Sequence, residues 1–135
     1  MDPVLLDTDI LSAIMRRDAR ASKDSRAYLS EYKVLTFSTI TRYEILRGLK
    51  AKGAAKQLAA FETFCAANVI LPLTDNIVLQ ASDTYAELYR QGKLIGDADI
   101  LIAATALVHG LVLVTNNTSH FKRIAGLTVA TWLTP

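Results

Sequence analysis

Cysteine, long apolar runs and familiar catalytic signatures are all scarce in this 135-residue chain. Cys65 is the only cysteine, so an intramolecular disulfide and a cysteine-based zinc site are excluded, and Phe61 and Phe64 nearby predict that it is buried. The longest apolar stretch, residues 100–114, is too short to span a membrane, and no basic segment at the N-terminus indicates a signal peptide. We therefore expect a cytoplasmic protein that does not enter a membrane.

A strong net charge is also lacking, because the formal value is only +2. Total charge therefore gives no indication of nucleic-acid binding. The basic side chains nevertheless cluster in two segments, residues 16–23 and 42–56, which are either solvated helix faces or a rim that contacts phosphates. The sequence contains no CxxC, HExxH, phosphate-binding glycine loop or GxSxG element, so it gives no sign of the enzyme classes that those motifs mark.

Apolar residues make up 51% of the chain, enough to build a real core in one domain over residues 1–135. Apolar runs of strand length alternate with helical patterns, which predicts an α/β fold with a mainly parallel central sheet of about five strands, covered by helices on both faces. The predicted strands are 4–7, 34–38, 69–72, 111–115 and 128–132. The predicted helices are 9–16, 23–32, 41–50, 54–67, 75–91 and 98–109, with a short turn at 119–124.

Polar residues and glycines mark the ends of several of these helices. Ser38 or Thr39 can cap the helix that follows the second strand, and Asp75 can cap the helix that follows the third. Asp97 is placed to cap the helix before the fourth strand, and Gly110 is placed to end it.

Four acidic side chains fall where an open parallel sheet would gather them. Asp7 ends the first strand, and Glu44 lies about one turn into the helix after the second. Asp97 and Asp99 open the helix before the fourth strand, so all four converge if strands one, two and four are neighbours. Carboxylates held close together repel one another and are usually neutralised by protons or a cation. Mg²⁺ prefers carboxylate oxygens and keeps several waters, so the set indicates metal-assisted chemistry on phosphate.

Each of these acids also has a purely structural interpretation. Asp7 could cap the first helix, Glu44 could pair with Arg47 on one helix face, and Asp97 could be only a cap. Asp99 is harder to explain in this way, because it begins an apolar helix that must be largely buried, where a carboxylate needs a partner. The functional signal therefore lies in the set of acids and not in any one member.

Four segments together resemble PIN-domain ribonucleases and, more narrowly, the VapC-type toxins of bacterial toxin–antitoxin pairs. They are LLDTD at residues 5–9, TITRYEILRG at 39–48, IGDAD at 95–99 followed by IAA at 102–104, and LVTNNTSHF at 113–121. The resemblance runs from the first strand to the last, with the motifs in the order of the family. It implies a single PIN-like domain with a five-stranded parallel sheet and metal-dependent cleavage of RNA, most often tRNA.

The resemblance also implies roles for individual residues. Asp7, Glu44 and Asp99 match the core acids of the family, and Asn116 and Asn117 match a segment that often adds a polar or acidic group. We expect Asp7 and Asp99 to hold Mg²⁺, for which Mn²⁺ may substitute, while Glu44 and Asp97 hold a second ion or orient a water. Asn117 completes the expected catalytic set. The expected substrate-positioning residues are Ser38, Thr39 and Asn116.

The implied partners are an RNA substrate, a small VapB-type antitoxin that inhibits the enzyme, and a second copy of the chain in a homodimer. DNA would be contacted only indirectly, through the antitoxin complex.

Two positions depart from the pattern of the family. Many relatives carry an acid just before the phenylalanine, where this chain has His120, and Asp9 stands where relatives often carry Asn or Ser.

Two other functions compete with this one. The segment from Asp7 to Asp9 is similar to the DxD opening of haloacid-dehalogenase-like phosphatases, although Leu11 stands where those enzymes usually carry Thr. The second alternative is a catalytically degenerate PIN-like module that only binds partners, for which the change at His120 leaves room. The intact acids Asp7, Glu44 and Asp99 argue against it, because a pure binding role gives no reason to keep mutually repelling carboxylates.

Overall fold

The strands that carry the predicted site lie side by side in one parallel sheet. The structure is a computed structural model that describes residues 1–134, and in that part of the chain five short strands form. They are β1 (Val4–Leu6), β2 (Thr36–Ser38), β3 (Val69–Leu71), β4 (Val112–Val114) and β5 (Val129–Ala130). Their order is β3-β2-β1-β4-β5, with every pair parallel. The predicted α/β fold is confirmed, and strands one, two and four are neighbours as the convergence of the acids requires; residue 135 lies outside the described residues.

Seven helices cover the two faces of the sheet within residues 1–134. They are α1 (Thr8–Met15), α2 (Ala19–Tyr32), α3 (Thr39–Ala51), α4 (Ala55–Ala67), α5 (Asp75–Arg90), α6 (Asp97–His109) and α7 (Thr118–Phe121). The predicted start of α2 at residue 23 is wrong because the Asp18 side chain accepts hydrogen bonds from the Arg20 and Ala21 amides and begins the helix there. No helix among the described residues combines the length and apolar character needed to cross a membrane.

Three predicted helix starts can be compared with the caps in the structure. Ser38 caps α3 as predicted, with its side chain accepting from the Thr41 amide at 3.1 Å. Asp75 and Asp97, in contrast, are not caps, because Thr74 and Gly96 take the cap positions and the two aspartates are the first residues of α5 and α6. Both aspartates lie in the first turn instead, where their charge is favourable near the positive end of the helix.

Alternate side chains along β1 enter two different cores, because successive strand residues point to opposite faces of a sheet. Leu5 packs with Leu113 and with buried residues of α5 and α6 on one face. Leu6 packs with Phe37 and Phe61 and with buried residues of α1 and α2 on the other. Because both faces are buried, the strand reads as a continuous apolar run, and its C-terminal end is held rigidly at the point where Asp7 follows.

The start of β1 is fixed by a side chain of α2. The Val4 amide donates to the Tyr28 hydroxyl at 3.0 Å, and Tyr28 is buried, at 3% exposure. Tyr28 also stacks on Tyr32 and contacts Trp132, so its ring fixes the position of the hydroxyl.

We expect Tyr28→Phe to destabilise the protein by about 1–3 kcal/mol, because it leaves the buried Val4 amide without an acceptor. Urea unfolding followed by circular dichroism measures this change. Tyr89→Phe on α5 is the matched control, since Tyr89 is 65% exposed and its loss of a hydroxyl should leave stability within about 0.5 kcal/mol of wild type. Equal effects of the two variants would show that the Tyr28 hydroxyl does not anchor β1.

Candidate active site

The carboxyl ends of β1 and β4 bring Asp7 beside Thr115. β1 and β4 pair in register up to Leu6 and Val114, and the Asp7 amide donates to the Val114 carbonyl at 2.9 Å. The Thr115 hydroxyl donates to Asp7 Oδ2 at 2.7 Å, and the Thr8 amide donates to Asp7 Oδ1 at 2.8 Å. Asp7 therefore caps α1, as its structural interpretation predicted, yet it is also a buried carboxylate at 6% exposure in the centre of the sheet edge.

Glu44 reaches the same edge from the first turns of α3. Its Oε1 accepts from the Thr8 hydroxyl at 2.6 Å, and the Thr8 hydroxyl oxygen also lies 3.0 Å from that of Thr41. Its Oε2 lies 3.7 Å from Arg47, so the predicted pairing along the helix is present as well. The Glu44 side chain is only 19% exposed, because its carboxylate points toward α1 and not into solvent.

Asp9 lies two residues beyond Asp7, in the first turn of α1. Its Oδ2 accepts from the Asn116 amide at 2.9 Å, which ties α1 to the segment after β4. Its Oδ1 is buried and has no hydrogen-bond partner among the described residues. A buried carboxylate oxygen without a partner in the chain is costly, so this atom is suited to coordinate a cation.

Asp99 approaches from the first turn of α6 and is half-buried, whereas Asp97 is exposed. The charges of Glu44 and Asp9 both act on Asp99 and raise its pKa, while His120 lowers it. The helices α1, α3 and α6 thus bring Asp9, Glu44 and Asp99 close enough to repel one another.

Burial and mutual repulsion raise the pKa of three of these carboxyls. Desolvation is the largest cause for Asp7, and the charge of Asp9 adds to it, so that the pKa of Asp7 rises from 3.8 to about 7. Desolvation also raises the pKa of Asp9 and of Asp99. The hydrogen bonds from Thr115 and Thr8 oppose the shift of Asp7 but do not cancel it.

The donor set fits a hard divalent cation in its chemistry. Within residues 1–134, no three His, Cys, Asp or Glu side chains are close enough to enclose an ion by themselves. The group offers oxygen donors only, includes the unpartnered Asp9 Oδ1, and carries more negative charge than its burial tolerates. These properties match Mg²⁺ or Mn²⁺, which take carboxylate oxygens and complete their coordination with water.

The remaining predicted site residues lie at the same edge of the sheet, where each makes different contacts. Ser38 uses its hydroxyl to cap α3, and Thr39 is the first residue of that helix. Asn116 is exposed and contributes its backbone amide to Asp9. The Asn117 amide donates to the Thr115 hydroxyl at 3.0 Å, and its side-chain nitrogen lies 2.8 Å from His120 Nδ1.

Three threonines that the sequence motifs do not indicate organise the acids. The Thr8 hydroxyl contacts Glu44, the Thr115 hydroxyl contacts Asp7, and the Thr41 hydroxyl contacts that of Thr8. Thr41 and Thr115 are both fully buried. The only sign of them in the sequence is position, since Thr8 and Thr115 lie within two residues of the ends of β1 and β4 and Thr41 lies in the first turn of α3.

Known proteins similar to this chain are nucleases and toxin–antitoxin complexes. The family model described as PIN domain matches residues 4–127. Ribonuclease VapC2 of Haemophilus influenzae is 32% identical over 96% of this chain and 97% of its own length. The tRNA(fMet)-specific endonuclease VapC of Shigella flexneri is 33% identical over 95% of this chain and 96% of its own. The crystal structure of DNA-bound VapBC from Salmonella typhimurium superposes with a TM-score of 0.85 at 29% identity, covering 98% of this chain and 99% of that one.

We expect Asp7→Asn to stabilise the chelator-treated protein above neutral pH. The raised pKa means that the folded state binds a proton on Asp7 more tightly than the unfolded state does, so ionisation of this group destabilises the fold as pH rises from about 4 to about 7. Asparagine removes that penalty, on the order of 4 kcal/mol at most, and can still accept from the Thr8 amide. Melting temperatures at pH 8 and pH 4, with EDTA present, measure the effect.

The gain should be present at pH 8 and nearly absent at pH 4, where Asp7 of the wild type is already protonated. Asp83→Asn on the exposed face of α5 is the matched control and should change the melting temperature at neither pH. A melting temperature of Asp7→Asn at or below that of wild type at pH 8 would mean that Asp7 is not under electrostatic strain.

Proposed function

Because the chain belongs to the PIN domain family and is a VapC-type ribonuclease, we propose that it is a Mg²⁺-dependent endoribonuclease that cleaves tRNA and is inhibited by a VapB-type antitoxin. The observation that carries the proposal is the convergence of Asp7, Glu44 and Asp99 at one end of the sheet. Burial and repulsion raise the pKa of Asp7 and Asp99, as a site for a divalent cation would. The family resemblance and the nuclease names of the relatives support the reaction type.

Asp7 and Asp99 are the proposed ligands of Mg²⁺, for which Mn²⁺ can substitute, and Glu44 with Asp97 is proposed for a second ion or a water. A divalent cation held by these residues would supply positive charge at the scissile phosphate and would make an attacking water more acidic. Among these acids Asp97 is exposed, so its contribution would come through water and not from a buried contact.

The chain itself positions the reacting groups. The Thr8 hydroxyl holds one oxygen of Glu44 at 2.6 Å and leaves the other near Arg47, so this carboxylate has a fixed direction from which to orient an attacking water. Asn117, Asn116, Ser38 and Thr39 are proposed to position the phosphate or the water as neutral polar groups. Attack in line with the departing oxygen would leave a 5′-phosphate and a 3′-hydroxyl.

Basic and aromatic side chains border the acids on α3. Arg47 lies over the ring of Tyr43 at 5.2 Å, and both flank Glu44 in the sequence. Tyr43 and Arg47 are each largely exposed. Together with the other basic residues of the segment 42–56, they are proposed to contact the RNA backbone, which would make binding weaken as salt rises. The choice of tRNA rests on the Shigella relative, which is named for that substrate.

The proposed protein partners would cover the exposed apolar surface of α5. Val78, Leu79, Tyr85 and Tyr89 are each at least 43% exposed on this helix, and a shallow groove between α5 and α6 is lined by Val78, Tyr85 and Leu101. Exposed apolar side chains in such number on one helix are typical of an interface. We propose that α5 pairs with a second copy of the chain, and that a VapB-type antitoxin binds as in the VapBC complex of the Salmonella relative.

The two alternative functions are less well supported. The PIN domain match over residues 4–127 does not favour a haloacid-dehalogenase-like phosphatase. A degenerate interaction module would have no need for the repelling carboxylates that the structure gathers. Activity on a small phosphate ester but not on RNA would support the phosphatase, and a folded protein that binds neither Mg²⁺ nor Mn²⁺ would support the module.

We expect purified, partner-free protein to cut total tRNA at discrete sites with Mg²⁺ and to leave it intact with EDTA. Asp99→Asn removes a charged ligand and should lower the cleavage rate at least about 100-fold while the protein stays folded. Gel analysis of the products, with circular dichroism of each variant, provides the measurement. Asp83→Asn is the control and should cleave at the rate of wild type, because Asp83 is exposed on α5.

Full activity of Asp99→Asn would remove this residue from the site. Cleavage of another RNA but not of tRNA would keep the ribonuclease and overturn the substrate. Cleavage that persists in EDTA would overturn the dependence on a divalent cation.

We also expect the purified chain to have twice the 14.8 kDa mass of one copy in solution. Leu79→Asp should shift it toward the monomer, because Leu79 is 58% exposed on α5 and a charge there would be desolvated at the interface. Light scattering after size exclusion measures both masses. Tyr43→Asp is the matched control, equally exposed on α3, and should stay dimeric. A monomeric wild type, or a dimeric Leu79→Asp, would contradict pairing through α5.

A further inference from the structure

His120 is attached to the acidic site by a chain of hydrogen bonds. The Thr115 hydroxyl donates to Asp7, and it accepts from the Asn117 backbone amide. The side-chain nitrogen of Asn117 lies 2.8 Å from His120 Nδ1. The position of the imidazole is therefore set, through two residues, by the end of β4 and by the carboxylate of Asp7.

The contact with Asn117 determines which ring nitrogen of His120 carries a proton. The amide nitrogen of asparagine can only donate, so His120 Nδ1 must accept, and the neutral ring then carries its proton on Nε2. The hydrogen bonds among the described residues include none to Nε2, which leaves this N–H group available to a ligand. When the ring is protonated instead, its charge lowers the pKa of Asp99, so the ring and Asp99 border the same site.

A hydrogen-bond donor beside the acids can bind a phosphate oxygen, which the acids themselves cannot do. The side chains of Asp7, Asp9, Glu44 and Asp99 are all acceptors when ionised, so they cannot hydrogen-bond to a phosphate. Arg47, which borders the acids from α3, lies 3.7 Å from Glu44 and over the ring of Tyr43, so its proposed contact with the RNA backbone lies on the α3 side of the site. The Nε2–H of His120 is a donor beside the carboxylates that the contacts of the chain do not already use.

We propose that His120 binds the RNA substrate by donating from Nε2 to a phosphate oxygen beside Asp99, and that Asn117 is the positioning residue that keeps His120 in this tautomer. The inference rests on the proposed function, because it assumes that RNA is the ligand of the site. It assigns His120 a role as a neutral donor and not as a general base.

The tautomer can be tested without any reaction. His109 and His120 are the only histidines, so long-range ¹H–¹⁵N spectra of ¹⁵N-histidine protein show two rings, and His120→Gln assigns them. We expect the His120 ring to be the Nε2–H tautomer with a hydrogen-bonded Nδ1, and we expect Asn117→Ala to move the Nδ1 signal while leaving His109 unchanged. A ring protonated on Nδ1 would overturn the proposal, and so would an Nδ1 signal that Asn117→Ala does not move.

Binding and turnover test the donor. His120→Ala should lower kcat/KM for tRNA about 10- to 100-fold, the range expected for one lost hydrogen bond to a charged group. His120→Gln should recover most of this loss, because its amide can donate from nearly the position of Nε2. The same order should hold for the Kd of labelled tRNA measured by fluorescence anisotropy in the Asp7→Asn background, where the loss of a proposed Mg²⁺ ligand is expected to prevent cleavage. The control is His109→Gln at the exposed C-terminal end of α6, which should match wild type.

Equal losses in His120→Ala and His120→Gln would mean that the ring only packs, and no loss in either would mean that it does not touch RNA; both results overturn the proposal. A wild type that binds tRNA but cleaves no RNA would contradict the proposed function while the binding and tautomer measurements still decide the role of His120.

Discussion

The alignment of β1 with β4 is the constraint on which the site depends. It places Asp7 and Thr115 next to each other at the end of two strands that are buried on both faces, where neither backbone can move aside. The caps at this edge then fix where the helices that follow the strands begin. α1 starts at Thr8 under the cap of Asp7, α3 starts at Thr39 under the cap of Ser38, and each brings one more polar side chain to the same place.

Burying several carboxylates at one edge of the sheet costs folding free energy, because they are desolvated and repel one another. Hydrogen bonds within the chain offset only part of this cost. Hydroxyls and amides from Thr8 and Thr115 hold Asp7, but its pKa still rises to about 7. Asp9 keeps one buried oxygen with no partner in the described part of the chain. The stability of the fold is therefore supplied elsewhere, by the two apolar cores that clamp β1, and the site retains a surplus of negative charge for an exogenous cation.

The sequence predicts the fold and the acids of the site because both follow from short-range patterns. Apolar runs alternate with helical patterns, and Asp7, Glu44 and Asp99 occur at the ends or beginnings of those elements. Strand order is different, since the neighbours β2, β1 and β4 are far apart along the chain and nothing local encodes their pairing. The hydroxyl contacts of Thr8 and Thr115 depend on that pairing and on the angle of α3, so the sequence could not show them. The caps of α5 and α6 lie one residue before the predicted ones, because Thr74 and Gly96 take the cap position ahead of an aspartate that is also a good cap residue.

The charge balance of the site gives a physical reason for an imidazole near Asp99. Glu44 and Asp9 already raise the pKa of Asp99, so another carboxylate close by would raise it further and favour its protonated, weakly binding form. A histidine acts in the opposite direction, because its charge lowers the pKa of Asp99, and in its neutral form it adds no repulsion at all. Asn117 is also neutral, and it fixes the ring without bringing charge of its own. With His120 in its neutral form, the segment after β4 adds hydrogen-bonding groups to the acidic edge and leaves its net charge unchanged, which keeps the carboxylates of α1, α3 and α6 available for a cation.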